Sequence, residues 1–157
     1  MKWRFNILFS VFILGSCAIG GGTLGGFPPI YFPTSKVNLE HAMDSLFLKY
    51  PQYSIPEKWK EKDNWSQRGY DFLESRIFYF KNDPEELYYV TFIGDQVMLR
   101  DTTKVSIAIR AVDSESKTWQ KYDELNDQQR SRIERRFHNE IIKKLETFSK
   151  CKSKETE

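Results

Sequence analysis

Apolar residues recur every three to four positions between Val37 and Tyr50, and this spacing predicts a first helix over that stretch. Ser35 and Asn38 are both placed to cap its start, because their side-chain oxygens accept hydrogen bonds from unpaired backbone N–H groups. Pro51 predicts the end of the helix, since proline does not fit into a helix interior.

Between residues 73 and 112 the apolar period changes to two, and aromatic and β-branched residues become frequent, which is typical of strands. Turn-forming residues at Asn82–Glu85 and Gly94–Asp95 separate the apolar segments. From Val105 to Ala111 the alternation is regular, so we expect a sheet with one buried face and one partly wet face. The predicted strands are Leu73–Lys81, Glu86–Ile93, Gln96–Arg100 and Lys104–Val112.

An apolar stripe at helical spacing, from Ile133 to Phe148, predicts a C-terminal helix over about Asp127–Phe148. Asn126 followed three residues later by Gln129 matches a capping box and predicts where this helix begins. The order of elements predicts an α+β fold. It comprises an N-terminal helix, a three- to four-stranded antiparallel sheet and a long C-terminal helix packed on one face.

The segment Gln52–Gly69 is rich in proline, charge and aromatic residues, and we expect it to be irregular with at most one short helical turn. Its rings and the next one, Tyr53, Trp59, Trp65 and Tyr70, are candidate binding residues. Flat amphipathic rings on a loop provide a platform for a sugar ring or for a partner's side chain. The alternative is that these rings pin the irregular segment onto the sheet.

The first fifteen residues have the pattern of an export signal. Lys2 and Arg4 carry positive charge, and the run from Phe5 to Gly15 is apolar with two polar interruptions and no acidic residue. This run is shorter than the roughly 20 residues that a membrane-spanning helix needs. An uncleaved signal anchor that continues past Cys17 is the alternative, but five glycines between residues 20 and 26 disfavour a helix there.

The sequence Leu14-Gly15-Ser16-Cys17 resembles the lipobox of bacterial lipoproteins, in which an aliphatic residue and two small residues precede an obligatory cysteine. The resemblance implies that residues 1–16 are removed as a signal peptide and that the Cys17 thiol carries a diacylglyceryl group. With a further acyl chain on the new amine, such an anchor is stable. We therefore expect a lipid-anchored protein of the cell membrane or outer membrane, with its domain facing the periplasm. By the same resemblance, Ala18 favours the outer membrane.

The remaining chain reads as a tether followed by one domain. Residues 17–35 are rich in glycine and then in proline, which is typical of a linker with a flexible base and a stiffer outer part. A single α+β domain is predicted over residues 36–149, and a polar tail over residues 150–157. Aromatic residues make up 15% of the 157-residue chain, which argues against disorder.

Net charge gives no indication of nucleic-acid binding. The chain has 24 Lys and Arg against 22 Asp and Glu, and without Lys2 and Arg4 the balance becomes 22 against 22. Since no basic stripe remains, we expect no nucleic-acid partner. The expected partners are the membrane, through the lipid anchor, and an envelope protein or glycan.

Neither histidine lies in a pattern that indicates a metal centre. His41 precedes Asp44 by three residues and His138 follows Glu134 by four, so each pair shares one helix face. A catalytic zinc site needs three protein ligands, which would require the two histidines to meet in the fold. We assign no catalytic or metal-binding residue, and expect no cofactor beyond the covalent lipid on Cys17.

Carboxylates cluster near the first predicted hairpin, and they provide an alternative interpretation as a small envelope hydrolase. Because no catalytic motif accompanies them, a binding or accessory interaction module is the favoured function, and a purely structural lipoprotein is the third alternative. Cys151 is expected to be free, because lipidation of Cys17 leaves it without a partner. The clustered carboxylates are Asp71, Glu74, Asp83, Glu85 and Glu86.

Overall fold

The centre of the fold is an antiparallel sheet, which confirms the predicted α+β class. The computed structural model of the protein describes residues 26–70, 73–114 and 118–155. Within them the strands lie side by side in the order β2-β3-β4-β1-β5, so β2 and β5 form the two edges. The strands are β1 (Ile30–Phe32), β2 (Ser75–Phe80), β3 (Glu86–Ile93), β4 (Val105–Ser114) and β5 (Lys154–Glu155).

Helix α1 (Lys36–Lys49) begins where the sequence predicts, with the Ser35 hydroxyl accepting a hydrogen bond from the Asn38 backbone N–H at 3.2 Å. A four-residue helix, α2 (Gln96–Leu99), follows β3. The last helical stretch consists of α3 (Asp127–Phe137), a π-helical turn (His138–Ile142) and α4 (Lys143–Ser149). We call these three segments together the C-terminal helix.

The capping box at the start of the C-terminal helix is confirmed. The Asn126 side chain accepts from the Gln129 N–H, and the Gln129 side chain accepts from the Asn126 N–H, each at 2.9 Å. The sequence did not predict the π-helical turn, which widens the helix by one residue near its middle. Such turns occur frequently at functional sites.

The main core lies between one face of the sheet and the layer formed by α1 and the C-terminal helix. The apolar stripes of both helices face this core, which is why their three- to four-residue periods could be recognised in the sequence. Residues that are almost completely buried there include Phe32, Leu39, Met43, Leu46, Phe78, Tyr88, Ile107, Ile133, Phe137, Ile141 and Leu145.

The opposite face of the sheet is also covered, so the prediction of a partly wet face is wrong for most of β3 and β4. The segment before β2 forms three short 3₁₀-helices, Pro51–Tyr53, Glu57–Lys62 and Ser66–Arg68, rather than the single turn expected. The part of it that carries Trp59 and Trp65 lies over this face. We call the apolar group beneath it the second cluster. It contains Trp59, Trp65, Ile77, Tyr79, Leu87, Tyr89 and Ala111, with Ile55, Tyr70 and Trp119 beside them.

The predicted strand Gln96–Arg100 is wrong, since these residues form α2 and its last turn. The Asp95 carboxylate accepts a hydrogen bond from the Met98 N–H at 2.8 Å and so caps the helix. Gly94, with a φ of 135°, turns the chain out of β3 just before it. Capping and turn residues therefore outweigh the strand propensity of this short segment.

The folded region extends beyond the predicted domain at both ends. Ile30–Phe32 of the predicted tether pairs with β4 from Val105 to Ile107, and Lys154 of the predicted tail pairs with Tyr31. The predicted signal peptide, residues 1–16, and Cys17 lie outside the described residues. Across residues 26–70, 73–114 and 118–155, no helix combines the length and the apolar character that crossing a membrane requires.

Candidate functional site

Glu86, the first residue of β3, is completely buried and holds the C-terminal helix against the sheet. Its carboxylate accepts two hydrogen bonds from Arg132, at 2.6 and 2.8 Å, and one from Arg136 at 2.9 Å. The Tyr88 hydroxyl donates a fourth at 2.8 Å. With four donors on its two oxygens, this buried anion is compensated, as a buried charge requires.

Arg136 ties the same network to the turn between β2 and β3. Its guanidinium donates to the backbone carbonyls of Pro84 and Asn82, at 2.8 and 3.1 Å. It also lies over the Phe80 ring, with the guanidinium carbon 4.8 Å from the ring centroid, and donates to the Glu140 carboxylate at 3.3 Å. The turn, the strand and the helix are thus joined by one side chain.

The environment shifts the pKa values of the groups around this network. Burial, with Glu86 close by, raises the pKa of the Tyr88 hydroxyl. Burial and the carboxylate of Glu140 raise the pKa of Tyr53 to about 12. The hydrogen bonds to Glu86 raise the pKa of the Arg132 guanidinium further, despite its partial desolvation. Both tyrosines therefore stay neutral donors over the physiological pH range.

Above the Glu86 network, an open cavity of about 340 Å³ lies between the β2–β3 turn and the C-terminal helix. We call it the arginine concavity. The helix contributes three arginines that lie within about one turn of each other, and the π-helical turn forms the end of the wall. The lining residues are Asn82, Asp83, Arg132, Arg135, Arg136, Asn139 and Glu140.

The arginine concavity offers donors for a carboxylate or another oxyanion. Arg132 and Arg136 are held in place by Glu86, while Arg135 is exposed and has no ion pair within the described parts of the chain. A guanidinium presents its N–H groups as a planar fork that matches a carboxylate. The side-chain amides of Asn82 and Asn139 add neutral hydrogen-bonding groups to the wall.

Two further cavities adjoin the C-terminal helix. One, of about 320 Å³, shares Arg135 and Asn139 with the arginine concavity and continues along the helix to His138. The other, of about 100 Å³, is mainly apolar, and Glu134 and His138 are its ionisable residues. It is lined by Phe27, Pro28, Ile30, Ile109, Glu134, Phe137 and His138.

The four predicted aromatic binding residues are divided between the two faces of the sheet. Tyr53 is buried in the main core, where its hydroxyl donates to Glu140 at 3.3 Å. Trp59 and Trp65 are buried in the second cluster, and the half-buried Tyr70 contacts Trp65 edge-on with a centroid separation of 5.5 Å. The rings therefore form no single exposed platform and instead hold the irregular segment on the sheet.

The carboxylates near the first hairpin do not converge on one cavity. Lys58 and the Tyr79 hydroxyl donate to Glu85 and lower its pKa, and Glu74 forms an ion pair with Lys36. Asp83 lines the arginine concavity, while Asp71 lies outside the described residues. Since Glu86 is also saturated with donors, no free carboxylate pair faces a cavity in the described part of the hairpin.

His41, His138 and Cys151 lie apart from one another in the described part of the chain. His41 is exposed on α1, and His138 lies at the cavities beside the C-terminal helix. In the region that the structure describes, no group of three or more His, Cys, Asp or Glu side chains is placed to hold a metal ion. Cys151 is free and half-buried, with its sulfur 3.2 Å from the Ser149 hydroxyl.

The Glu86 network was not predicted from the sequence. A local signal does exist, because Arg132 and Arg136 are four residues apart and adjoin the apolar positions 133 and 137. Their acceptor, however, is 46 and 50 residues away in the chain. Comparisons with models of protein families, with characterised proteins and with solved structures found nothing that matches this chain.

Proposed function

We propose that this protein is a lipid-anchored cell-envelope protein whose domain binds a carboxylate-bearing ligand in the arginine concavity. The domain faces the periplasm from the cell membrane or the outer membrane, and the ligand belongs to an envelope protein or glycan. The protein acts as a binding or accessory module rather than as a hydrolase.

The observation that carries the binding proposal is the state of the three arginines. Two of them are oriented by a fully buried carboxylate. Arg136 also donates to Pro84, Asn82 and Glu140, so Arg132 is the one whose remaining N–H groups have fixed directions before any ligand arrives. The third, Arg135, is uncommitted within the described residues and lies beside them. The oriented N–H groups that Arg132 keeps, next to the exposed guanidinium of Arg135, support recognition of carboxylates, which accept two parallel N–H bonds.

A hydrolytic role has less support. A glycosidase-type site needs a carboxylic acid and a free carboxylate that flank the glycosidic bond to be cleaved. Glu85 and Glu86 are instead committed to ion pairs and hydrogen bonds. The concavity has room and donors, but no pair of free carboxylates, so binding is the activity that it supports best.

The anchor is tested by Cys17→Ser followed by cell fractionation. We expect the variant to keep its signal peptide and to lose stable membrane retention, because the thiol is the proposed attachment point of the lipid. The wild-type chain processed in the same cells is the reference. Unchanged processing together with unchanged retention would remove the anchor from the proposal.

The ligand class is tested by isothermal titration of the full-length protein in detergent with two probes, N-acetyl-tetraglutamate and tetragalacturonate. Arg135→Gln should weaken binding of the recognised probe roughly tenfold, because a charge-assisted hydrogen bond contributes about 1.5–3 kcal/mol. Arg100→Gln, an exposed arginine outside the concavity, is the matched control and should bind like the wild type. Equal affinities of all three proteins, or no binding of either probe, would contradict the proposal.

A further inference from the structure

Helix α2 presents two large apolar side chains to solvent at the tip of the connection between β3 and β4. Val97 is 79% exposed and Met98 is 55% exposed, although they are neighbours in a four-residue helix. The next residue, Leu99, turns inward and packs against the main core. The helix is therefore anchored by one apolar residue while it displays two others.

We call residues 94–104 the α2 tip, and local contacts hold Val97 and Met98 in their exposed positions on it. Asp95 caps α2 through the Met98 N–H, and the space where a side chain of Gly94 would begin is filled by Met98, with its Cβ 2.8 Å from that point. After the helix, the Asp101 carboxylate accepts from the Thr103 N–H and hydroxyl at 2.8 and 2.6 Å. These contacts fix Val97 and Met98 outward rather than leaving them on a loose loop.

Another exposed apolar side chain lies at the same end of the molecule. Strand β1 ends at Phe32 opposite Val105, the first residue of β4, and α1 begins a few residues later. Lys36 lies over the Phe92 ring near the end of β3, at 5.7 Å from the centroid. Val37, 59% exposed, is therefore at the end of the domain from which α2 projects.

The first described residue, Gly26, is close enough to the α2 end of the domain for a lipid on Cys17 and this end to contact the same membrane. Gly26 lies beside Ile109 and is nine residues after Cys17, a length of chain that spans at most about 30 Å. From Ile109 to Val105, where the tip begins, β4 covers about 14 Å. An anchor on Cys17 and the tip can thus reach one bilayer surface.

We propose that the α2 tip rests in the interfacial layer of the membrane that carries the Cys17 lipid, with Val97 and Met98 among the acyl chains. This inference depends on the lipid anchor of the proposed function. The charges of the tip balance, Asp95 and Asp101 against Arg100 and Lys104, so the contact is apolar and does not require anionic lipid. The acyl chains retain the protein at the membrane, and the tip sets the orientation of the domain, with the arginine concavity at the far end of β3 from it.

The test uses the full-length lipidated protein, carrying Cys151→Ser and Val97→Cys with an NBD label, in vesicles of phosphatidylcholine and phosphatidylglycerol. We expect a blue shift of NBD emission and a loss of fluorescence when part of the lipid is replaced by doxyl-labelled phosphatidylcholine. Leu48→Cys is the matched control, since Leu48 is apolar and 87% exposed but lies about 18 Å further along α1 than Lys36. Its label should show neither effect. Adding Met98→Asp to the Val97 probe should reduce the quenching and leave flotation unchanged.

Flotation of the same samples separates this inference from the anchor itself. If the protein does not float with vesicles, the anchor is wrong and the tip contact is wrong with it. If it floats but the labels at positions 97 and 48 respond alike, the anchor stands and the tip contact is overturned. A blue shift at position 97 that appears without vesicles and grows with protein concentration would assign the tip to a second copy of the chain and also overturn the proposal.

Discussion

The guanidinium of Arg136 lies 2.9 Å from the carboxylate of Glu86 and joins the middle of the C-terminal helix to the first residue of β3. The carboxylate is fully buried and the arginine side chain is 10% exposed, so the contact forms in a largely desolvated place. It therefore does two things at once. It fixes the helix on the sheet, and it holds Arg136 in the wall of the arginine concavity.

Glu86→Gln is expected to lower the free energy of unfolding by about 3–5 kcal/mol, because it removes the charge that compensates two buried or half-buried arginines. Urea unfolding followed by far-UV circular dichroism measures the change. Glu57→Gln removes an exposed carboxylate paired with Lys60, and it should cost less than about 1 kcal/mol. A similar small loss for both variants would mean that the buried network contributes little to stability.

Trp65→Ala should destabilise the protein by about 3–5 kcal/mol, since it empties the centre of the second cluster. The indole stacks on Tyr89 with centroids 4.0 Å apart and contacts Trp119 edge-on at 5.1 Å. Thermal and urea unfolding give the measurement, and Leu48→Ala, at an exposed position, should stay within about 0.5 kcal/mol of the wild type. A loss below about 1 kcal/mol at Trp65 would show that the second face of the sheet needs no aromatic cover.

Ionisation of the Tyr53 hydroxyl should lower the free energy of unfolding at high pH. Its pKa is raised from 10.0 to about 12 in the folded state, so the unfolded chain loses the phenolic proton first as the pH rises. This contribution to stability is complete below pH 10 and is lost between pH 10 and 12, by roughly 1–2 kcal/mol. Urea unfolding of the wild type and of Tyr53→Phe at several pH values isolates the contribution of Tyr53, because the lysines titrate equally in both proteins. Parallel curves for the two proteins across that range would contradict the prediction.

The two described glycines with a positive φ, Gly69 and Gly94, should respond differently to substitution by alanine. Gly69, at a φ of 85°, has open space where a side chain would begin, so Gly69→Ala should cost about 1–2 kcal/mol through backbone strain alone. At Gly94 the same change adds a clash with Met98, and the expected cost is larger. Unfolding free energies of both variants compare the two effects. A smaller loss at Gly94 than at Gly69 would indicate that α2 moves away without cost.

Sequence periodicity was sufficient to predict α1, the extent of the C-terminal helix and the strands β2, β3 and β4. The helical stripe and the capping box of Asn126 and Gln129 are local patterns, and a local pattern survives folding when the rest of the chain agrees with it. The strands Ser75–Phe80, Glu86–Ile93 and Val105–Ser114 were recognised for the same reason. The resemblance of Leu14-Gly15-Ser16-Cys17 to a lipobox is likewise local, and it stays a prediction.

Only the tertiary structure determined which distant residues are in contact. Ile30–Phe32 is a strand because it pairs with the edge of β4. Trp59 and Trp65 are buried because their segment packs on the second face of the sheet. Glu86 meets Arg132 across 46 residues of sequence, and nothing in the spacing of either segment indicates that contact. Periodicity reports which side of an element is apolar, whereas ion pairs and cavities depend on how whole elements pack together. The sequence therefore shows that Arg132 and Arg136 share one side of the helix, but not that this side meets Glu86 and the β2–β3 turn.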